Sequence, residues 1–475
     1  MIVKAKKILD SFAGYMKIGE DVFAYSIDKN IVTLLPAQSE YKHRQEVLDR
    51  ILSRNMDSSE YVFGIGDNNY NVAILRNTKI SSDILRQNPY VRFGTSLIIK
   101  AAGNTSNFVS MLTEKWSSFH AITFYGGNIN ALQDLQLAVE IISCKRYTEK
   151  DYDGSDELRL RPWTDYTRSI NFELDGEKAE LLISIKRTGA ANNSDDMDTY
   201  SLGTLYGVIR LTFETAQDFI TIQKYYRIVK TLVALLTKQN NVSLYAYLSQ
   251  RNPNGKLFKT ADCAFFDHYE NYSLKKHIGV IPIQQILNSV PRLMEKIAKN
   301  EANFILSLLP ENNKEANLIS ITNIQDLCTA LEIVYDWGKR KRDKDLLIEE
   351  LKKHIKSAIS EFVSHNSSID LNRETTISSS FQHLDYNLKQ KILTLYGENC
   401  EAVDSVVSKY NLPQINEQNV GAFVKLRNNK THAGLIEWGD YAHIYSALFA
   451  LVYVCLFKEI GISNEIIKHL IYQSF

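Results

Sequence analysis

Proline, cysteine and unbalanced charge are all scarce in this sequence, and each absence excludes a class of protein. Only 8 of the 475 residues are proline, which excludes long proline-rich linkers. The five cysteines are widely spaced, odd in number and form no CxxC pair. This pattern argues against a disulfide framework or a zinc ribbon and favours a reducing compartment. The charges of the 55 basic and 55 acidic residues sum to zero. This balance excludes a chain-wide basic surface that coats nucleic acid, but it allows a small site for one phosphate or one RNA loop.

Long apolar segments are also scarce. The longest one runs from Tyr441 to Phe457 and includes His443 and Ser446. It is shorter than the roughly 20 residues that a helix needs to cross a bilayer, so it predicts a buried helix. The N-terminal residues lack the apolar core of a signal peptide. We therefore expect a cytoplasmic protein with no membrane partner.

The first part of the chain has the pattern of short strands and turns. Residues 61–63 and 70–75 flank a Gly- and Asn-containing stretch, and residues 168–174 and 179–185 flank Asp175-Gly176. Both patterns predict β-hairpins, because Gly, Asn and Asp tolerate the positive φ of tight turns. Further strands are predicted at 91–100, 121–125, 206–213 and 242–248, and a long helix at 216–238. Together they predict a β-sandwich or a curled antiparallel sheet.

The second part is predicted to be almost entirely helical. Apolar periodicity places helices at about 282–309, 322–337, 343–364, 382–396, 401–409, 415–430, 438–460 and 464–473. The predicted fold class is therefore α+β. A β-rich N-terminal domain with sandwich-like antiparallel sheets spans 1–274 and has a sensing or regulatory role, and an all-α helical bundle spans 275–475.

The most informative pattern lies near the end of the predicted 415–430 helix. Val420, Phe423, Val424, Arg427 and Thr431 recur at i, i+3, i+4, i+7 and i+11, so Arg427 continues an apolar stripe. A charge on such a stripe needs a partner or a cleft, because an unpaired buried charge is costly. Glu332, within the apolar stretch Ala330–Val334, is a candidate partner, and an exposed position on its own helix is the alternative.

Arg427, Asn428 and His432 form a compact group if the helix continues, since residues 428 and 432 are i and i+4 neighbours. The three side chains suit metal-independent cleavage of RNA. His432 can transfer protons near neutral pH, Arg427 can hold two phosphate oxygens, and Asn428 can donate to a third oxygen or orient the histidine. The alternative is a plain helix C-terminus, with Gly434 as its left-handed cap.

The pattern Arg427-Asn428-x-x-x-His432, in a helical C-terminal domain and before a long apolar helix, resembles the motif of the HEPN superfamily of ribonucleases and nucleotide-binding proteins. The whole chain, with a β-rich region before the motif-bearing domain, looks like the ApeA type of bacterial anti-phage protein. The resemblance implies an α-helical bundle, metal-independent RNA cleavage without a cofactor, growth arrest during infection, and two protomers that bring their motifs together. It also implies an RNA substrate and a phage-derived trigger bound by the N-terminal domain.

Other patterns have simpler interpretations. The basic run Lys339–Arg342 with Lys344 predicts a solvated helix end, with an RNA-backbone contact as the alternative. Residues 63–67 hold two glycines but lack a full phosphate-loop motif, so they predict a hairpin. No His, Cys, Asp or Glu cluster has metal-ligand spacing, and we expect no metal. The alternative function is a non-enzymatic HEPN-type binding or oligomerisation module, which would keep the fold but lose the arginine or the histidine. The least favoured reading is an unrelated two-domain scaffold.

Overall fold

The computed structural model describes residues 12–18, 20–28, 30–37, 43–44, 46, 61–66, 69–76, 81–83, 90–103, 112, 115–143, 156–187, 204–266, 279–311, 315, 319–338, 346–366, 387–429 and 444–475. The chain divides into two compact units, Met1–Lys299 and Asn300–Phe475. The first is β-rich and the second is helical, as predicted, and the fold is α+β. The predicted boundary after residue 274 lies outside the described residues.

The described part of the first unit contains strands that all pair antiparallel. They are β1 (Phe12–Ile18), β2 (Asp21–Asp28), β3 (Ile31–Pro36), β4 (Tyr61–Gly66), β5 (Asn71–Arg76), β6 (Ser81–Asp83), β7 (Tyr90–Ala101), β8 (Ser118–Tyr125), β9 (Val139–Ser143), β10 (Asp156–Leu160), β11 (Arg168–Leu174), β12 (Glu177–Arg187), β13 (Leu205–Asp218), β14 (Tyr245–Arg251) and β15 (Leu257–Phe265). Strands β9 and β10 form a separate two-stranded sheet.

Six of these strands close into a barrel in the order β7-β3-β2-β1-β4-β5, and β5 pairs back to β7. Its interior holds a cluster of buried apolar side chains that includes Phe23, Val32 and Phe93. Closure brings β1 and β4 very close, because Gly14 pairs with Gly66. A Cβ atom on Gly14 would strike the carbonyl oxygen of Ile65, so only glycine fits there. The predicted curled antiparallel sheet is thus a closed barrel with further strands attached.

The remaining strands extend the same sheet from the barrel in the order β7-β15-β14-β8-β13-β12-β11. The described helices of the first unit are α1 (Gly127–Ala131), α2 (Trp163–Tyr166), α3 (Ile222–Thr237) and α4 (Val290–Ala298). Helix α3 covers one face of the sheet extension. Tyr226 of α3 stacks on Phe265 with ring centroids 3.7 Å apart, and Tyr225 packs on Phe213 at 4.5 Å. Aromatic contacts therefore fix the helix on the sheet.

Both predicted hairpins are confirmed. Strands β4 and β5 pair antiparallel, with Tyr61 opposite Leu75 and Ile65 opposite Asn71. The two glycines of residues 63–67 therefore belong to strand β4 and not to a phosphate loop. Strands β11 and β12 pair around Asp175 and Gly176, which have φ values of 54° and 84°. Two successive left-handed residues are what a two-residue hairpin turn requires, and Asp-Gly supplies them at little cost.

The described part of the second unit contains the helices α5 (Ile321–Trp337), α6 (Leu346–His365), α7 (Leu388–Gly397), α8 (Cys400–Tyr410), α9 (Glu417–Asn429), α10 (Ile444–Glu459) and α11 (Asn464–Ser474). They confirm the predicted helices, with two differences at the N-terminal ends: α7 begins at Leu388 and not at 382, and residues 438–443 of the predicted 438–460 helix lie outside the described residues. Helix α5 begins at a capping box, in which the Ser320 hydroxyl accepts from the Asn323 backbone N–H at 3.1 Å and the Asn323 side chain accepts from the Ser320 N–H at 2.9 Å. Helix α5 packs against α7, α9 and α10.

The prediction of one helix from 282 to 309 is wrong. The segment consists of a 3₁₀ turn (Ile283–Ser289), helix α4 and a second 3₁₀ turn (Asn303–Leu308). Helix α4 ends where Asn300 adopts a left-handed conformation with φ of 60°. Asparagine tolerates this conformation better than most residues. The apolar periodicity nevertheless continues across the break, because Ile297 and Ile305 are both buried.

Most of the residues of α10 are buried within the second unit. Leu448, Leu451 and Leu456 are at most 1% exposed, which confirms that this apolar segment is a buried helix. Among the described residues, every helix is too short or too polar to span a membrane.

Helix α6 differs from its neighbours because apolar side chains on it face solvent. Leu347, Leu351 and Phe362 are 76%, 50% and 62% exposed, and Ile355 and Ile359 are partly exposed. Positions 347, 351, 355, 359 and 362 repeat every three to four residues and form one stripe. We call these five residues the α6 stripe.

Candidate functional site

Helix α9 carries the arginine of the predicted motif. Val420, Phe423 and Leu426 are buried, Val424 is partly buried, and the Arg427 side chain is 34% exposed. The buried stripe that the sequence predicts is therefore present, and Arg427 lies where this stripe meets solvent.

Glu332 of helix α5 is the partner of Arg427. Its Oε2 atom lies 3.7 Å from Nη2 of Arg427, and its side chain is also 34% exposed. The distance makes this contact an ion pair without a short hydrogen bond. The predicted candidate pairing is confirmed. Packing of α9 on α5 brings the two residues together although 94 positions separate them in the sequence.

The thiol of Cys328 belongs to the same neighbourhood, and sequence reasoning missed it. Cys328 lies one helical turn before Glu332 and is fully buried. Burial raises the pKa of Cys328, the positive charge of Arg427 lowers it, and the negative charge of Glu332 raises it, with a net result of about 12. The thiol therefore stays protonated and neutral at physiological pH. The spacing of four residues between Cys328 and Glu332 on a predicted helix was the signal that could have revealed it.

The other two motif residues are described less fully. The backbone of Asn428 lies in the last turn of α9, and its side chain is outside the described residues. His432 and the alternative cap Gly434 lie in 430–443, which is also outside them. The grouping of Arg427, Asn428 and His432 stays a prediction.

Most of the remaining candidates are surface residues or lie outside the description. His43, His354 and His469 are exposed, which is typical of histidines on polar segments. The basic run at 339–342 with Lys344, and also His443, are outside the described residues. Within the described ranges, no group of three or more His, Cys, Asp or Glu side chains is arranged to hold a metal ion.

The arrangement around Arg427 has a definite chemical capacity. A guanidinium held by one carboxylate on one side, with a third of its side chain exposed, can present its remaining N–H donors to an anion. The paired carboxylate offsets part of the positive charge and favours one orientation of the guanidinium. Comparison with known proteins does not decide the activity, because no protein-family model matches the chain and neither the curated proteins nor the solved structures contain a match.

Proposed function

We propose that this protein is a metal-independent endoribonuclease that uses Arg427, Asn428 and His432, located in the cytoplasm and acting in bacterial anti-phage defence by growth arrest. The observation that carries the proposal is the position of Arg427. Its side chain is oriented by Glu332 and still one-third exposed, which are the two properties that a phosphate-binding arginine needs. His432 follows five residues later and supplies the proton-transfer group.

The proposed reaction is attack by a ribose 2′-hydroxyl on the adjacent phosphorus. His432 removes the hydroxyl proton, the P–O5′ bond breaks, and a proton passes to the leaving 5′-oxygen. The product is a 2′,3′-cyclic phosphate and a free 5′-hydroxyl. Arg427 stabilises the extra negative charge on the phosphorane, where electrostatic complementarity accelerates the reaction most. Asn428 donates to a phosphate oxygen or orients His432.

The active species in this proposal is a homo-oligomer, at minimum a dimer. The reaction needs one proton removed and another delivered, whereas the motif of one chain offers a single histidine. A two-fold interface would bring a second His432 to the first. The α6 stripe offers apolar surface for an oligomer contact, because three large apolar side chains there are at least half exposed.

The alternative is a non-enzymatic binding or oligomerisation module. One observation favours it: the Arg427–Glu332 ion pair also suits a purely structural role in joining α9 to α5. In that case Arg427 would contribute to folding and not to a reaction. The two functions make opposite predictions about the same substitutions.

The deciding experiment measures cleavage of labelled RNA and growth arrest on overexpression for Arg427→Ala and His432→Ala. Each substitution should lower the cleavage rate by about 100- to 1,000-fold, the usual cost of removing one oriented electrostatic group, and should relieve the arrest. Asn428→Ala should have a milder effect, because water can replace an amide. Lys425→Ala is the matched control, since Lys425 is an exposed cation on the same helix. Wild-type cleavage by a folded His432→Ala protein would remove the assignment and favour the binding module.

A further inference from the structure

Four tyrosines gather on one face of the sheet extension in the first unit, opposite helix α3. Tyr125 of β8 is at the centre. Its ring centroid lies 5.9 Å from that of Tyr206 on β13, 5.6 Å from that of Tyr245 and 6.2 Å from that of Tyr247, both on β14. All four side chains are partly exposed. The pairing of Tyr125 with Tyr245 and of Tyr247 with Thr123 puts them on one face.

Two lysines complete this cluster, which we call the tyrosine–lysine face. The ammonium of Lys186 on β12 donates to the Tyr247 hydroxyl at 2.5 Å and lies 5.2 Å from the centroid of its ring. Strands β13 and β8 lie between β12 and β14, so this bond spans the face above Tyr125. Lys259 of β15 lies 5.5 Å from the same ring and forms an ion pair with Asp262 at 2.6 Å.

The floor of the face holds polar atoms that lack hydrogen-bond partners among the described residues. They are the hydroxyls of Thr123 and Thr212 and the Nε atom of Arg210, all buried. Thr123 and Thr212 are 0% and 5% exposed. Thr123 lies two positions before Tyr125 on β8, so both side chains are on the same face. Arg210 pairs with Thr123, and Thr212 lies two positions further along β13, which places both on that face as well. A buried polar group without a partner costs about 1–3 kcal/mol, and each such group in a native protein calls for an explanation, such as a bound water or ion.

A structural cluster of this size would bury its aromatic rings and satisfy its polar atoms. This one leaves the rings partly exposed and the floor unsatisfied, and it holds two ammonium groups against one nearby carboxylate. Arg210 adds another cation, with Glu180 3.9 Å away. Aromatic faces beside cations are the chemistry that recognises an unpaired base with its phosphate.

We propose that the tyrosine–lysine face binds a single-stranded nucleic acid. In this proposal, bases stack on the tyrosine rings around Tyr125, and a phosphate accepts hydrogen bonds from Lys186. An ammonium has three N–H donors, and Tyr247 uses one of them. The site is separate from the proposed RNA cleavage and does not depend on it. It would give the first unit a ligand of its own.

The test is fluorescence anisotropy of the full-length chain with labelled 12-nucleotide strands. One strand is 2′-O-methyl RNA, which cannot be cleaved through its 2′-oxygen, and the other is DNA. Tyr206→Ala should weaken binding by about 5- to 100-fold, the range for losing one base stack. Lys186→Gln should weaken it and reduce the slope of log Kd against log salt by about 0.7, the value for one phosphate contact on a single strand.

Two further variants keep the test decisive. Tyr206→Phe retains the ring and should bind like the wild type, which separates stacking from any loss of folding. Lys178→Gln is the matched control, because Lys178 is an exposed cation on the same strand, paired with Glu214 and roughly 27 Å from Lys186. Tighter binding of either strand identifies the sugar that the face prefers.

Three results would overturn the proposal. One is equal binding by Lys186→Gln, Tyr206→Ala and the wild type, which would place any nucleic-acid contact elsewhere. Another is equally tight binding of a duplex, which would show that the bases are not read. The third is no binding of either strand at 1 mM protein, which would leave the face to a partner of another class, such as a protein segment.

Discussion

Replacing Glu332 by Gln tests whether the ion pair at Arg427 serves catalysis or only folding. The substitution keeps the size of the side chain and removes its charge. At 3.7 Å, two unit charges attract by about 4 kcal/mol at an effective dielectric constant of 20 and by about 1 kcal/mol in water. Because both side chains are one-third exposed, solvent screening places the pair near the lower value. We expect the free energy of unfolding to fall by less than about 1 kcal/mol.

The kinetic effect should be larger than the stability effect and should divide between kcat and KM. Without Glu332 the guanidinium is less well oriented, and kcat should fall about tenfold, less than the roughly 100-fold that a 1 Å misplacement can cost. Removing a negative charge also strengthens the attraction of Arg427 for phosphate. For a phosphate about 7 Å from residue 332 in water, the gain is about 0.6 kcal/mol, so KM should fall about threefold.

The assays are urea denaturation and steady-state cleavage of a labelled RNA, each at low and at 1 M salt. High salt should reduce the change in KM, because screening weakens charge interactions at this distance. Asp336→Asn is the control, since it removes the same charge from an exposed position one turn further along α5. Unchanged kcat and KM, together with a loss of more than about 2 kcal/mol in stability, would refute the reasoning and make the pair structural.

Three further predictions concern the thiol, the metal requirement and the oligomer. Cys328 should resist alkylation at pH 8 in the folded protein, because a pKa of about 12 keeps its thiol protonated. Peptide mapping by mass spectrometry should show that the partly exposed Cys400 reacts before Cys328. Cys328 should react only in urea. Cleavage should persist in EDTA and yield 2′,3′-cyclic phosphates, since Arg427 supplies the positive charge; strict Mg²⁺ dependence with 5′-phosphate products would contradict this. The double variant Leu351→Glu, Phe362→Glu should convert the dimer to a monomer in light scattering and should lower cleavage without lowering stability. The control Lys353→Glu on the same helix should change neither the oligomeric state nor cleavage. A wild-type protein that cleaves at full rate as a monomer would exclude a site built from two His432 residues.

Local chemistry explains why much of the first unit could be predicted from the sequence. The turn at Asp175-Gly176 is encoded by two adjacent residues that accept positive φ, so its hairpin needs no information from elsewhere. Closure of the barrel is different, because it depends on pairing of β5 with β7 across a register shift. The tyrosine–lysine face was missed for a similar reason. Its members come from five strands whose order in the sheet, β12-β13-β8-β14-β15, is not their order in the sequence.

The segment from 282 to 309, where the first unit ends and the second begins, shows where periodicity misleads. The stripe through Ile297 and Ile305 continues across the left-handed Asn300, so an apolar pattern predicts burial on both sides and gives no sign of the break. At the site, the pattern around Arg427 predicted that the charge must meet a partner, and Glu332 was named among the possibilities. The thiol of Cys328 was missed because a buried cysteine looks like any other small apolar residue in a helix.

The depth of Arg427 in the second unit is the feature that makes it suitable for a reaction. An arginine as deep as Phe423, which is fully buried, would be closed to substrate and would need complete neutralisation by its neighbours. One as exposed as Lys425 would move among many rotamers and would have to lose that freedom on binding. Arg427 lies between these extremes, because the packing of the buried Val420 and Phe423 fixes the backbone of α9 while one-third of the Arg427 side chain is exposed. The apolar stripe and the proposed catalytic cation are thus two consequences of one helix orientation, and any substitution that tilts α9 should alter both together.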